Sequence, residues 1–172
     1  MSMQYGIMMR GQFPQGEYMA GRFAEMMEQA RMLERLGYHS ITQGAHYSTH
    51  PLQDLQQIPF LSRVAAEAPS LRLNTGVLLL LLHKPLDVAE QVGTLDIMTN
   101  GKVIFGCGVG YRDVDFMAFG TSRKARARRF EENLTAIKPL WTEESVTMKG
   151  SHFELKDASC SAKPVQDLVG PL

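Results

Sequence analysis

The sequence predicts an α/β fold built on a parallel sheet. Short apolar runs alternate four times with segments whose apolar residues recur at helical spacing, the pattern of consecutive strand–helix units. The third run, at residues 71–81, is almost continuously apolar, as in a parallel strand covered on both faces. With 172 residues, 44% hydrophobic and 21% charged, the chain has the composition of a globular protein with one sizeable core.

The first two strand–helix units occupy residues 5–68. Residues 5–9 form a short apolar run bounded by glycine and arginine, which predicts the first strand. The helix that follows begins at Tyr18, and Gly37 is placed to adopt the left-handed conformation that ends it. The remaining elements of this part are a strand at 39–43, a loop at 46–53 and a helix at 54–68.

The third and fourth units follow the same order. The strand at 71–81 leads to a helix at 85–98, which has Pro85 in its first turn. A turn at Asn100-Gly101 precedes the fourth strand, which begins at 103–105. A long helix is predicted at 123–141.

The alternation of strands and helices stops after Trp141. Two short strand patterns around Lys149-Gly150 predict a small β-hairpin, and a turn-rich tail follows. The sequence therefore predicts an α/β part at 1–145 and a hairpin with an irregular tail at 146–172. A closed eight-stranded barrel takes about 250 residues, so the residues alone are compatible with either an open sheet or the first half of a barrel.

Composition argues against several classes of protein. The 18 Lys+Arg balance the 18 Asp+Glu, which gives no electrostatic reason to expect nucleic acid or an anionic membrane as a partner. The longest apolar run, at 77–82, is far shorter than the roughly 20 residues of a membrane helix. Two cysteines do not make a disulfide scaffold, and the N-terminus has no secretory pattern. We expect a cytoplasmic protein.

His46 is the first candidate for chemistry, because it follows the second strand, where α/β folds place their sites. A histidine can act as a general acid or base, because the unperturbed pKa of an imidazole lies near neutral pH. A solvent-exposed or packing histidine is the alternative. The spacing to His50 also raises the question of a metal, but Thr49 and Pro51 oppose the helix that would align the two rings, and we expect no metal site.

Glycines mark two further candidates. Gly106, Gly108 and Gly110 would let the backbone approach a ligand, and exposed N–H groups there can hold a phosphate or a ribityl chain. Thr75-Gly76-Val77 places a glycine inside a strand, which often marks close approach of a ligand or another backbone. Packing explains the first pattern about as well, and local strain or a bulge explains the second equally well. Cys107 has no assured basic neighbour and is expected to be a buried thiol.

Several segments, taken in order, carry more information than any one of them. The chain resembles the luciferase-like monooxygenase superfamily, the flavin- or deazaflavin-dependent oxidoreductases related to bacterial luciferase. The resemblance covers nearly the whole chain up to about Gln166. It rests mainly on Ala45-His46-Tyr47, Asn74-Thr75-Gly76-Val77, His83-Lys84-Pro85, Phe105-Gly106-Cys107-Gly108-Val109-Gly110-Tyr111-Arg112 and Ala118-Phe119-Gly120.

The resemblance implies a fold and an activity. The fold is the first four strand–helix units of a TIM (β/α)8 barrel, with its parallel strands in the order 1-2-3-4. The activity is that of a flavin-dependent monooxygenase, in which reduced flavin and O2 act on a small organic substrate. The implied cofactor is FMN, with a deazaflavin coenzyme as the alternative.

The resemblance also implies roles for single residues. His46 matches the active-site histidine of the family. Thr75, Gly76 and Val77 would lie against the isoalloxazine, at a place where family members often have a cis peptide bond. Gly106, Gly108 and Gly110 would line the region of the ribityl chain.

The chain departs from the family pattern in three respects. Ala45 stands where an acidic residue is common, Tyr47 where a second histidine is usual, and Leu81 where many relatives have proline. Family members are also roughly twice as long, as an eight-unit barrel requires. We therefore expect a truncated chain with weak or no activity alone, whose exposed half-barrel edges would pair with a second copy. The alternatives are a non-catalytic α/β module that binds a phosphate ligand and an inactive fragment.

Overall fold

The computed structural model describes residues 3–44 and 46–166; Ala45 and the end of the predicted tail, residues 167–172, lie outside the described residues. The strands in the described part are β1 (Gly6–Met9), β2 (Gln12–Pro14), β3 (Ser40–Gln43), β4 (Leu52–Asp54), β5 (Arg72–Thr75), β6 (Leu78–Leu79), β7 (Val103–Ile104), β8 (Cys107–Gly108), β9 (Val146–Lys149) and β10 (Glu154–Ala158). The α-helices are α1 (Met19–Arg35), α2 (Gln57–Glu67), α3 (Pro85–Thr99), α4 (Asp113–Ala118) and α5 (Arg126–Thr142).

A four-stranded parallel sheet organises the chain. Its strands lie in the order β1-β3-β5-β7, which confirms the predicted order of the four main strands. The register aligns Ile41, Leu73 and Val103 in one row, and all three side chains are fully buried. These residues form one core with apolar side chains of α1, α2, α3 and α5, so the helices cover this face of the sheet.

The opposite face of the sheet has no helix against it in the described part of the chain. The register aligns Met8, Thr42, Asn74 and Ile104 in one row on that face. Met8 is 67% exposed, and the other three are half-buried. The sheet therefore has one apolar face under helices and one face of mixed polarity that is open.

The ends of the helices follow the predicted sequence signals. Gly37 has a φ of +78° and directly follows the last turn of α1. Pro85 is the first residue of α3, and Asn100 ends that helix in the left-handed conformation. No helix within residues 3–44 and 46–166 has the length and apolar character needed to cross a membrane.

The third strand is shorter than predicted. β5 ends at Thr75, β6 pairs separately with β8, and Leu80–Leu82 form a 3-10 helix instead of continuing the strand. Asn133 on α5 stabilises this turn, because its Nδ2 donates to the carbonyl oxygens of Leu80 at 2.8 Å and of His83 at 3.0 Å. The run of leucines at 78–82 is therefore apolar because a short strand, β6, and the 3-10 helix after it are both buried.

Two further elements differ from the prediction. Residues 52–54 form β4, which pairs antiparallel with β2, so α2 begins at Gln57 and not at Asp54. A short helix, α4, lies between the fourth strand and the long helix α5 and was not predicted. The predicted hairpin is present as β9 and β10.

The segment after the hairpin is held by one buried carboxylate. Asp96 on α3 is fully buried, and its Oδ2 accepts the backbone N–H groups of Val165 at 2.8 Å and Gln166 at 3.1 Å. The side-chain amide of Gln166 donates to Asp96 Oδ1 at 2.6 Å and to the Val103 carbonyl at 2.8 Å. These bonds tie the last described residues to the end of the sheet.

Candidate functional site

Two cavities meet at His46, at the carboxyl ends of the parallel strands. The Tyr111 cavity, of about 330 Å³, is lined by Gly44, His46, Gly76, Val77, Leu79, Val109, Gly110, Tyr111, Arg112 and Asp115. The Gln43 cavity, of about 220 Å³, is lined by Met8, Met9, Arg10, Gly11, Gln12, Gln43, Gly44, His46, Asp54 and Gly76. Gly44, His46 and Gly76 belong to both walls.

His46 is held by a buried carboxylate that the sequence did not indicate. Its Nδ1 lies 3.2 Å from Oδ2 of Asp54, whose side chain is only 3% exposed. Burial raises the pKa of Asp54, and the hydrogen bond with His46 opposes that rise. With Asp54 ionised, Nδ1 is the donor and Nε2 is the ring nitrogen left to accept or release a proton.

The predicted Thr75-Gly76-Val77 segment divides between the core and the Tyr111 cavity. Thr75 is fully buried, and its hydroxyl donates to the Gly106 carbonyl at 2.8 Å. The peptide bond between Gly76 and Val77 is cis, as the resemblance implies. Val77 is 43% exposed and lines the cavity. Thr75 thus supports the wall from behind, and Gly76 and Val77 form part of it.

The three predicted glycines occupy different environments. A Cβ at Gly106 would lie 2.2 Å from the Thr75 carbonyl oxygen, and one at Gly108 would lie 2.7 Å from Val77 Cγ2. Gly110 has a φ of +61° and lines the Tyr111 cavity. Close packing against the third strand segment accounts for Gly106 and Gly108, whereas Gly110 allows a left-handed turn at the cavity wall.

An arginine joins the loop that carries His46 to helix α4. Arg112 donates to the carbonyl oxygens of Tyr47 at 2.6 Å and Ser48 at 2.9 Å. It also lies 3.4 Å from Asp115 Oδ1, and the Asp115 side chain is only 2% exposed. Neither Arg112 nor Asp115 was predicted as a site residue, yet both line the Tyr111 cavity.

Tyr47, which stands where the family usually has a second histidine, packs into an aromatic cluster. Its hydroxyl lies 3.1 Å from Nε2 of His83, and its ring centroid lies 4.6 Å from that of Phe119. Burial raises the pKa of Tyr47 and lowers that of His83, so both groups are neutral near pH 7. Through Tyr47, the loop that carries His46 is thus packed against His83 and Phe119.

Cys107 does not have the surroundings of an activated nucleophile. The thiol is half-buried, and burial raises its pKa. A thiol in such an environment stays protonated and unreactive near neutral pH.

Known proteins resemble this chain over most of its length. It is 32% identical over 139 residues to a 4-hydroxyprotoasukamycin monooxygenase of Streptomyces nodosus subsp. asukaensis, a match that covers 80% of this chain and 38% of the relative. It is 28% identical over 152 residues to an F420-dependent glucose-6-phosphate dehydrogenase of Amycolatopsis mediterranei, covering 83% of this chain and 45% of the relative. The chain therefore spans less than half the length of these two relatives.

Solved structures share the fold of the chain at about half their own length. The monooxygenase RslO1 of Streptomyces bottropensis superposes with a TM-score of 0.85 at 27% identity, over 96% of this chain and 51% of that chain. The oxygenating component of 3,6-diketocamphane monooxygenase from Pseudomonas putida, in complex with FMN, superposes with a TM-score of 0.83 at 16% identity, over 95% of this chain and 50% of that chain.

The comparisons agree with the resemblance that the residues carry. FMN in one neighbour and F420 dependence in another are the two cofactor types that the resemblance implied. A family model described as luciferase-like monooxygenase matches residues 3–171. The chain belongs to the luciferase-like monooxygenase family.

Proposed function

We propose that this chain is the flavin-binding half of a flavin-dependent monooxygenase, in which reduced flavin and O2 act on a small organic substrate. The observation that carries the proposal is the meeting of His46, Gly76, Val77 and Gly110 at one cavity. This cavity lies at the carboxyl ends of the parallel strands, where α/β barrels bind their ligands. FMN is the proposed cofactor, and a deazaflavin coenzyme is the alternative.

The walls of the Tyr111 cavity fit a flat, largely apolar ring. Val77, Leu79 and Val109 supply apolar surface, and Gly44, Gly76 and Gly110 add no side chain to the wall. The volume of about 330 Å³ is at the lower end of the range for cofactor and ligand pockets. Arg112 is paired with Asp115 and bonded to the carbonyl oxygens of Tyr47 and Ser48, so its role at the rim is to hold the wall in place.

The residues of the chain would position the reactants and move a proton. A bound reduced flavin supplies the electrons with which O2 is activated. Asp54 orients His46 so that Nε2 can give a proton to a developing negative charge or remove one. Once the cavity is closed, the apolar wall around Val77 and Leu79 would exclude water from the reacting atoms.

We further propose that the sheet corresponds to the first four units of a (β/α)8 barrel. Residues 1–145 would form this half-barrel, and 146–172 the hairpin insert and tail. The open face with Met8, Thr42, Asn74 and Ile104 would then be the barrel interior. A second copy that pairs with the edges of β1 and β7 would close the cavity, so the chain alone would have weak activity.

The competing proposal, a phosphate-binding module at the Gly106–Gly110 turn, has less support. The positions that a Cβ would take at Gly106 and Gly108 are next to Thr75 and Val77, so packing already explains these two glycines. Of this turn, Val109 and Gly110 line the proposed flavin cavity.

Reoxidation of reduced FMN by O2 tests the proposal. Photoreduced FMN is mixed with aerobic buffer at increasing concentrations of the chain, and the return of flavin absorbance is followed. We expect the rate to change with protein concentration and to reach a plateau, and His46→Gln to alter the plateau rate. A rate equal to that of free FMN at every protein concentration would contradict flavin binding.

A further inference from the structure

The Gln43 cavity contains polar groups that the proposed flavin site does not use. It shares the walls at Gly44, His46 and Gly76 with the Tyr111 cavity. Its volume of about 220 Å³ exceeds what a few water molecules need. A group bound there would lie next to the same histidine that faces the proposed flavin.

Gln43 presents a buried carboxamide without a partner. The residue is only 1% exposed, yet neither Nε2 nor Oε1 has a hydrogen-bond partner among the described residues. Its backbone carbonyl is satisfied, since it accepts from Gln57 Nε2 at 2.5 Å and from the Gly76 N–H at 2.9 Å. Leaving a buried amide group unpaired costs about 1–3 kcal/mol, so this side chain is poorly explained by folding alone.

A second unpartnered atom lies close to the first. Oδ1 of Asp54 is buried without a partner in the described part of the chain, whereas Oδ2 contacts His46. A Cβ at Gly11 would lie 2.4 Å from Gln43 Nε2 and 2.8 Å from Asp54 Oδ1. Both polar atoms therefore pack closely against Gly11, which has no side chain to displace them.

We propose that the Gln43 cavity binds the polar end of the organic substrate, through a neutral group that carries a donor and an acceptor side by side. Gln43 Nε2 would donate to the acceptor, and Gln43 Oε1 or Asp54 Oδ1 would accept from the donor. A hydroxyl or an unsubstituted amide has this chemistry. A carboxylate does not, since it offers no hydrogen to Asp54.

This inference rests on the proposed function for the identity of its ligand, because a substrate is assumed to lie beside the flavin. The two cavities share a wall at His46 and Gly76. The polar end of the substrate would then lie in the Gln43 cavity and its reacting carbon near the Tyr111 cavity. The polar end would fix the orientation of the substrate.

Matched small molecules test the inference without any flavin. The backbone N–H signals of Gly11 and Gly44, which line the cavity, are followed by NMR in the 15N-labelled chain and in its variants during titration with benzamide, N,N-dimethylbenzamide, cyclohexanol and methoxycyclohexane. In the wild-type chain the side-chain NH2 signal of Gln43 is followed as well. We expect saturable shifts with benzamide and cyclohexanol only, because the other two molecules have no donor. We expect Gln43→Met to weaken benzamide binding about tenfold, the effect of about 1.4 kcal/mol. Gln29→Leu, on the exposed face of α1, is the control and should leave the affinity unchanged.

Several outcomes would overturn the inference. Equal binding of benzamide and its dimethyl derivative would show that the hydrogen bonds do not select the ligand. Unchanged affinity in Gln43→Met, with the fold retained by circular dichroism, would place the binding elsewhere. If no probe changed the NMR signals, the cavity would hold only solvent and the inference would be wrong. Titration of the wild-type chain with FMN is a separate readout, so a failure of flavin binding would contradict the proposed function and not this result.

Discussion

Nδ1 of His46 lies 3.2 Å from Oδ2 of Asp54, although Asp54 belongs to β4, a strand outside the main sheet. β4 pairs antiparallel with β2, and in this pairing Asp54 lies opposite Gln12. The small two-stranded sheet thus carries the carboxylate to the histidine at the end of β3. The same pairing gives the Gln43 cavity one of its walls.

Replacing Asp54 with asparagine should change stability in a pH-dependent way. Burial raises the pKa of Asp54 above its ordinary value of 3.8, so the folded chain binds this proton more tightly than the unfolded chain. The stability that the group contributes is therefore present at low pH and is lost as the pH rises through the raised pKa. Relative to wild type, Asp54→Asn should gain stability between acidic and neutral pH.

Urea unfolding of both proteins at a series of pH values measures this difference. Titrating groups that do not contact Asp54 are common to the two proteins and cancel in the comparison. His46, which contacts Asp54, is replaced by glutamine in both proteins. We expect the free energy of unfolding of the protein with Asp54→Asn, minus that of the protein with Asp54, to increase as the pH rises. A decrease would contradict the assignment of a raised pKa to Asp54.

Removing Arg112 should destabilise the protein far more than removing a surface arginine. Arg112→Ala leaves the buried carboxylate of Asp115 without its ion pair and frees the carbonyl oxygens of Tyr47 and Ser48. Loss of one partner of a buried pair lowers the free energy of unfolding by about 3 kcal/mol. Arg123→Ala breaks an exposed pair with Asp113 and should lower it by less than about 1 kcal/mol.

Denaturant titration of the two arginine variants provides the measurement. Equal effects of Arg112→Ala and Arg123→Ala would mean that the Arg112 contacts do not hold the loop that carries His46.

Gly106→Ala should destabilise the fold because of a clash with fixed backbone. The new Cβ would lie 2.2 Å from the Thr75 carbonyl oxygen, and neither strand segment can move without disturbing the core. We expect a loss of about 2–3 kcal/mol in the free energy of unfolding. Thermal unfolding followed by circular dichroism measures it. A variant that keeps wild-type stability but loses phosphate-ligand binding would favour the module hypothesis for this turn.

The sequence predicted the main sheet well because its signals are local. The runs that became β1, β3, β5 and β7 are apolar and separated by helical patterns, and parallel strands joined by helices are normally neighbours in one sheet. Gly37 and Pro85 marked a helix end and a helix start for conformational reasons that hold in any context.

The missed features depend on contacts between distant residues. The leucines of 78–82 have no periodicity to distinguish a strand from a turn, and the turn is held by Asn133, about fifty residues away. β4 has few apolar residues, so its pairing with β2 left no pattern, and Asp54 could not be linked to His46. His46 and Gly76 were predicted as site residues from the sequence, and the structure brings both to the same cavity.

Binding of FMN to the wild-type chain and to Gly44→Leu tests the central claim most directly. A Cβ at Gly44 would lie 3.7 Å from the Gly76 carbonyl oxygen, an ordinary contact, and Gly44 lines both cavities, so we expect a leucine there to occupy cavity space. Ala20→Leu, on the exposed side of α1, is the matched control. Quenching of flavin fluorescence in an equilibrium titration should show saturable binding by wild type and Ala20→Leu, and binding at least about tenfold weaker by Gly44→Leu. Equal binding by all three proteins, or no binding by wild type, would contradict the placement of the flavin beside His46.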